Sequence, residues 1–452
     1  MKTIDMTKGE PFKLIILYSL PMLVGQLFQQ LYSMCDTIIV GRLLGYDALA
    51  AVGNTGPMNF LVLGFLYGLT SGFAVVTAQK FGAHDEKELK HSVAMNIMLN
   101  FAVGVFLTIL ACLLARPILV LTNTPDRIIE QSYSYIFIIF SGILLNVLYS
   151  GSACVLRAVG DSKTPLYFLV FSSILNIVLD YFFIAKLNLH VAGAALATII
   201  SQGVSGVLCI VWIIIKFPIL HVKRVDFKWD FKFAMAHLSL GMNMGFQFCI
   251  TAIGVVILQG ALNVFGAAKI AAYTAAQKVE HLVTIAANVF GVTMANYSGQ
   301  NLGAGNIKRI KNGVTKAVIL TISFAVAAAV LAWMFGDAMT LFFLDKEKIV
   351  ASELDEILQA SRIYLRMCSI FFPVLFVLFI YRNTLQGIGK GFWPLMGGVF
   401  ELIARVVGAY TLPSVMGYSG ICASGPAAWI AATAPLAVAY YIIMSSKRQK
   451  IQ

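Results

Sequence analysis

Twelve stretches of this 452-residue chain are mostly apolar over about 20 residues or more, the length a helix needs to cross the hydrocarbon core of a bilayer. They fall at roughly 13–40, 50–79, 91–115, 128–156, 163–185, 193–215, 235–264, 270–298, 313–335, 357–381, 392–412 and 422–444. No other feature constrains the fold as much. Backbone polar groups must be satisfied inside a bilayer, so the spans are helices. Barrel strands would be shorter and would alternate in polarity. Composition agrees: 59% of residues are apolar and 12% charged, where soluble domains carry about 25% charged residues. An ordinary soluble domain and a disordered chain are both excluded. The predicted fold class is an all-α integral membrane protein with twelve transmembrane helices. The first apolar block is too long for a cleavable signal peptide and has no small-residue cleavage site.

The net charge is +12. Its basic residues are short clusters between apolar blocks, so they read as topology signals and contacts to membrane lipid rather than as a nucleic-acid surface. With the N-terminus inside, the cytoplasmic segments, from Lys2 to Lys450, hold 21 Lys and Arg. They include Arg382 in the loop after span ten. The opposite loops hold 7, among them Lys346 and Lys348. This excess puts both termini in the cytoplasm. Arg362 and Arg366 are expected to snorkel at the outer end of span ten. Segments outside the membrane are too short for a soluble ATPase domain, and no GxxxxGK[ST] occurs. HExxH and GxSxG are also missing, so the chain is not expected to be an enzyme or to need a cofactor. The seven cysteines fall inside spans, and none is in a CxxC pair, which makes them small core residues.

The second half restates the first. SLPMLVG at Ser19 is answered by SLGMNMG at Ser239, a shift of 220. AQKFGAHDEKELK at Ala78 is answered by GQNLGAGNIKRIK at Gly299, a shift of 221. LRAVGDSKTPL (156–166) matches LQGIGKGFWPL (385–395), a shift of 229. Six spans return the chain to its starting side, so the halves share one orientation. They are expected to form two pseudo-symmetric six-helix bundles around a central cavity, the design of an alternating-access carrier. The predicted parts are an N-terminal lobe 1–215, a basic cytoplasmic connector 216–234 and a C-terminal lobe 235–452.

Acidic residues inside spans need explaining, because an Asp near the bilayer centre costs about 2.5–3.5 kcal/mol on insertion scales. Asp36 lies late in span one and Asp180 in span five. Each has a polar residue one helical turn earlier, Tyr32 and Asn176. Thr198 in span six reaches similar depth if spans five and six form a hairpin. Two carboxylates facing one cavity can share a proton at neutral pH and release it when the cavity opens or a cation enters. Asp36, Asn176, Asp180 and Thr198 also offer the oxygens a sodium ion takes, so proton and sodium both stay open. Glu280 reads as interfacial, structural or substrate-contacting. Glu401 and Arg405, spaced i, i+4, read as a neutralising pair. Pro21 and Gly25 allow span one to bend, either as a static kink or as a movement driven from Asp36.

SLPMLVGQLFQQLYSMCDTIIVGRLLGYDALAAVG, LRAVGDSKTPL with LNIVLD following, and AAYTAAQKVEHLV with GQNLGAG resemble the multidrug and toxic compound extrusion (MATE) transporters over the whole chain. The branch most similar is the one named after DNA-damage-inducible protein F. The resemblance implies twelve helices in two lobes, a bacterial cytoplasmic membrane, a monomer, and export of mainly cationic small organic compounds in exchange for protons or sodium. It places the coupling cation at Asp36, Asn176, Asp180 and Thr198, with Tyr32 beside them, and makes Pro21 the bending proline. Two departures stand out. Spans seven and ten lack the acids that another branch uses, and Ser150 stands where relatives often carry Asn. A lipid-linked oligosaccharide flippase of the same superfamily is the alternative. It would need a cationic cavity.

Overall fold

A computed structural model of the chain describes residues 4–344 and 351–449. Lys2, Lys346, Lys348 and Lys450, which entered the charge count, lie outside these residues. The described residues form fifteen α-helices and no strand. In the first half these are α1 (Pro11–Leu44), α2 (Tyr46–Asn54), α3 (Gly56–Gly82), α4 (Glu86–Leu121), α5 (Asp126–Ser141), α6 (Ile143–Ala158), α7 (Lys163–Tyr181) and α8 (His190–Lys216). In the second half they are α9 (Phe231–Leu262), α10 (Ala267–Gly303), α11 (Ile307–Phe342), α12 (Ala351–Ile370), α13 (Phe372–Gly387), α14 (Phe392–Met416) and α15 (Tyr418–Gln449).

These helices account for all twelve expected spans. Nine segments are long and apolar enough to cross a membrane unaided, and two bent pairs bring the number to 11 among the described residues. The remaining one is α10. It is long enough at 37 residues but carries Lys269, Lys278, Glu280 and His281. The bent pairs are spans four and ten: α5 and α6 meet at 47°, α12 and α13 at 48°. Their joints, Gly142 and Phe371, are 229 residues apart, the same shift as the LRAVGD repeat. Pro373 at the start of α13 explains one break. At the other, a Cβ on Gly142 would collide with Ile199.

Helix ends repeat as well. The turn after α6 is closed by Gly160 N–H to the Arg157 carbonyl and Asp161 N–H to the Leu156 carbonyl. The turn after α13 uses Gly389 to Gln386 and Lys390 to Leu385. Gly160 (φ 90°) and Gly389 (φ 80°) occupy the left-handed region at the same place. Asp85 and Asn306 cap α4 and α11 by accepting from Glu88 N–H and Arg309 N–H. Asp161 holds the start of α7 by accepting from the Lys163 and Thr164 N–H groups at 3.1 and 3.0 Å.

The chain divides into two compact units. Unit 1 takes the chain up to Thr7 and Leu20–Phe248, and unit 2 takes Lys8–Ser19 and Cys249 onward. Within unit 1, α3 packs on α4 and α6, and α8 packs on α5, α6 and α7. Within unit 2, α10 packs on α11 and α13, and α15 packs on α12, α13 and α14. The partners correspond one for one, so the sequence repeat is also a packing repeat. The core of unit 1 includes Leu66, Leu119, Ile136, Phe140 and Ile143 in one cluster and Leu89, Leu156, Val159 and Leu220 in another. In unit 1 the N-terminal segment is pinned by Ile4 N–H to the Gly160 carbonyl at 3.1 Å. In unit 2, Lys316 pairs with Glu10 at 2.6 Å.

Candidate functional site

The apolar surfaces of α1, α7 and α8 are each interrupted by polar residues one turn apart, and in unit 1 these interruptions converge. Asp180 is fully buried near the end of α7 and Asn176 lies one turn before it, also buried. The carboxyl groups of Asp36 and Asp180 lie close enough to interact directly. Asn176 Nδ2 donates to Thr198 Oγ1 at 3.5 Å, and Thr198 Oγ1 donates to the Ala194 carbonyl at 3.0 Å. Tyr32 lies beside Thr198. Since the Thr198 proton is already committed to Ala194, only Tyr32 could donate between these two hydroxyls. The hairpin that brings Thr198 opposite Asn176 turns through a π-helical segment, Phe182–Lys186, directly after α7.

All five predicted cation-site residues therefore meet in one cluster. Sequence reading missed a sixth, Tyr135 of α5. It is buried and interacts electrostatically with Asp36, Tyr32 and Asp180. A tyrosine in an apolar helix carries no spacing signal that would have singled it out. The other candidates lie outside the cluster. Ser150 Oγ donates to the Asn146 carbonyl of its own helix at 2.8 Å, so its hydroxyl is spent locally. Pro21 sits inside α1 two residues past the Ser19–Leu20 boundary between units. A Cβ on Gly25 would lie 3.3 Å from Leu166 Cδ1, so the glycine lets α1 approach α7.

The chemistry follows from the contacts. Two neighbouring carboxyl groups away from water repel when both are ionised, so the pair can share one proton. Asp36 Oδ1 is buried with no hydrogen-bond partner among the described residues, an acceptor ready for a proton donor or a small hard cation. Among the described residues, no group of three or more His, Cys, Asp or Glu could hold a metal ion. An ion here would instead have to be one that accepts carboxylate, amide and hydroxyl oxygens, as sodium does.

The acids of unit 2 are differently placed. Glu401 of α14 receives Arg405 Nη2 at 2.8 Å and Arg382 Nη2 at 2.7 Å, and all three side chains are almost fully buried. Arg382 was expected in the loop after span ten. It lies inside α13 instead, because a buried carboxylate between two helices needs it. A Cβ on Gly254 would lie 3.2 Å from Arg405 Cδ, so the glycine gives the arginine its space. Glu280 accepts a hydrogen bond from Tyr364 and feels the charge of Arg405. It lies thirteen residues past the start of α10, where its carboxylate meets Tyr364 of α12. Arg362 does not snorkel freely: it grips Asp337 with Nε at 2.8 Å and Nη2 at 2.6 Å.

A polar ladder in unit 1 was also missed. His237 Nδ1 bonds the Phe233 carbonyl at 3.0 Å, and its Nε2 bonds Ser92 Oγ at 3.0 Å. Ser92 bonds Thr77 at 3.0 Å, Asn96 Nδ2 donates to Thr77 at 3.5 Å, and Asn100 Nδ2 donates to Asn96 at 2.5 Å. The i, i+4 spacing of Ser92, Asn96 and Asn100 was the available signal.

Comparison with known proteins points one way. The MatE family profile matches residues 21–182 and 242–411. The chain is 30% identical over 390 residues to the probable multidrug resistance protein YpnP of Bacillus subtilis, covering 86% of this chain and 85% of that one. It is 30% identical over 190 residues to DNA damage-inducible protein F of Escherichia coli, covering 41% and 40%. A solved MOP superfamily transporter from Pyrococcus furiosus shares the fold with a TM-score of 0.91 at 22% identity, covering 99% of each chain.

Proposed function

The chain belongs to the MatE family, and on that premise we propose that it is a secondary active multidrug exporter, exchanging mainly cationic organic compounds for protons or sodium by alternating access. The observation that carries this reading is the meeting of the Asp36 and Asp180 carboxyl groups beside Asn176 and Thr198. Either aspartate alone in an apolar helix costs free energy with no structural return. Together, with Asn176, Thr198 and Tyr32 around them, they form a site that holds one proton or exchanges it for a cation. The cation is cargo of the cycle. Asp36, Asp180, Asn176 and Thr198 would hold it through oxygens.

In this reading the lobes 1–215 and 235–452, joined by the connector 216–234, rock about a central cavity as a monomer. Both termini face the cytoplasm across a bacterial cytoplasmic membrane. Pro21 is the point at which α1 bends when the charge on Asp36 changes. The flippase alternative would need free buried cations, whereas Arg382 and Arg405 are both engaged by Glu401. The test is dye transport in proteoliposomes with a proton or a sodium gradient imposed separately. One gradient drives export, and Asp36→Asn or Asp180→Asn abolishes it in protein that still inserts normally. Wild-type transport by both variants would refute the proposal. Pro21→Ala should slow transport without abolishing cation binding.

A further inference from the structure

The segment between α8 and α9 is built as a surface rather than a tether. Its inner side is fixed: Phe217 and Leu220 are buried in the cluster of Leu89, Leu156 and Val159. His91 Nδ1 bonds the Asp226 carbonyl at 2.9 Å, and its ring stacks on Phe233 at 4.8 Å. Both acids of the segment are consumed by the backbone. Asp226 accepts from Lys223 N–H at 2.6 Å, and Asp230 caps α9 by accepting from Phe233 N–H at 3.0 Å. What remains outward is basic and apolar together. Lys223, Arg224, Lys228 and Lys232 are exposed, and none forms an ion pair among the described residues. Between them stand Val225, Trp229 and Phe231 with 78%, 55% and 68% of their surface exposed.

Large apolar side chains that alternate with unpaired cations face neither plain water nor hydrocarbon well. They suit the headgroup layer, where an indole sits at the interface and ammonium groups meet phosphate. Covalent geometry fixes the depth, because the segment joins two helices that each pass as membrane spans. We propose that residues 221–232 are a docking site for the acidic phospholipid headgroups of the membrane leaflet they lie on. Lys223, Arg224, Lys228 and Lys232 bind the phosphates, and Val225, Trp229 and Phe231 insert beside the glycerol. The site holds the start of α9 to that leaflet. It stands apart from the cation cluster, so it can fail while the transport reading stands.

The test uses the full chain in bilayers of phosphatidylcholine alone or with one quarter phosphatidylglycerol. Hydrogen exchange of the amides of 221–232 is expected to slow about fivefold with the acidic lipid, and salt near 0.5 M should reverse this. The variant Lys223→Gln, Arg224→Gln, Lys228→Gln and Lys232→Gln should lose the difference and keep dye transport in neutral bilayers. In a variant whose other tryptophans are Phe, brominated phosphatidylglycerol should quench Trp229 at least about twice as strongly as brominated phosphatidylcholine. Equal exchange in the two bilayers, or a lipid difference that survives the four substitutions, overturns the proposal. Protection by inorganic phosphate or by an acidic peptide in neutral bilayers, equal to that by the lipid, overturns it too.

Discussion

Gly72 of α3 and Gly241 of α9 meet backbone to backbone: a Cβ on Gly72 would lie 2.5 Å from the Gly241 Cα. One turn away, a Cβ on Gly68 would lie 2.6 Å from the Met244 carbonyl oxygen, and one on Gly245 would lie 2.8 Å from the Phe65 ring. Two small-xxx-small motifs, Gly68/Gly72 and Gly241/Gly245, therefore face each other, as in close helix pairs in membranes. Gly72→Ala and Gly241→Ala should each destabilise the protein by about 1–3 kcal/mol through overpacking. Gly260→Ala, where nothing lies within 4 Å, is the control. Thermal melting of the three variants in one detergent checks this; equal melting temperatures would contradict it.

Thr198 accepts from Asn176, donates to Ala194 and lies beside Tyr32. Thr198→Val removes the acceptor, and about 1.4 kcal/mol lost from the site is tenfold in cation affinity. Thr198→Ser should keep most of it. Transport rate against coupling-ion concentration distinguishes the two; identical curves would rule out a role for the hydroxyl.

Glu401 neutralises two buried guanidinium groups. Glu401→Gln leaves both charges without a counter-ion and should cost about 3–5 kcal/mol. Arg405→Met should cost less, because Arg382 still serves the carboxylate. The yield of folded protein and its melting temperature should rank Glu401→Gln below Arg405→Met; the reverse ranking would show the triad to be misread.

His237 has a defined tautomer. A neutral ring that donates from Nδ1 to the Phe233 carbonyl must accept at Nε2, so Ser92 donates to it and Thr77 donates to Ser92. Nitrogen NMR of labelled histidine should show the Nδ1–H form. Ser92→Ala should cost about 1–3 kcal/mol by leaving the buried Nε2 acceptor of His237 and the Thr77 hydroxyl donor unmet.

Lys316 holds Glu10 below the usual carboxylate range through a hydrogen bond. A lowered folded value means that the pair stabilises above the ordinary carboxylate pKa and is lost as pH falls through the folded one. The pair is exposed, so its contribution is small and screened by salt. Lys316→Gln should flatten the acid side of the stability curve slightly at low salt and leave it unchanged at high salt.

Much of this was legible in the chain. Span length gave the helices, whereas the bends at Gly142 and Phe371 were not foreseen, since spans four and ten were read as single apolar runs. Asp36 and Asp180 stood out because a carboxylate in an apolar run has no cheap explanation. Arg382 was misjudged because a basic residue near a span end looks the same whether it faces lipid headgroups or a buried acid ten or more residues downstream. Tyr135 and His237 were invisible for a related reason. The side chains they meet, Asp36, Asp180 and Ser92, lie on other helices, and helical spacing reports only neighbours on the same one.

The π-helical turn after Asp180 acts as a set-screw between two helices. Leu187 N–H reaches back five residues to the Phe182 carbonyl at 3.1 Å, so the turn holds one residue more than an α-helical turn. Removing one residue between 182 and 186 would leave Asp180 and Asn176 where they are. It would also shorten the turn that leads into α8 and pull Thr198 out of register with them. The register between the two arms of the hairpin thus depends on a surplus residue in a turn that touches no ion.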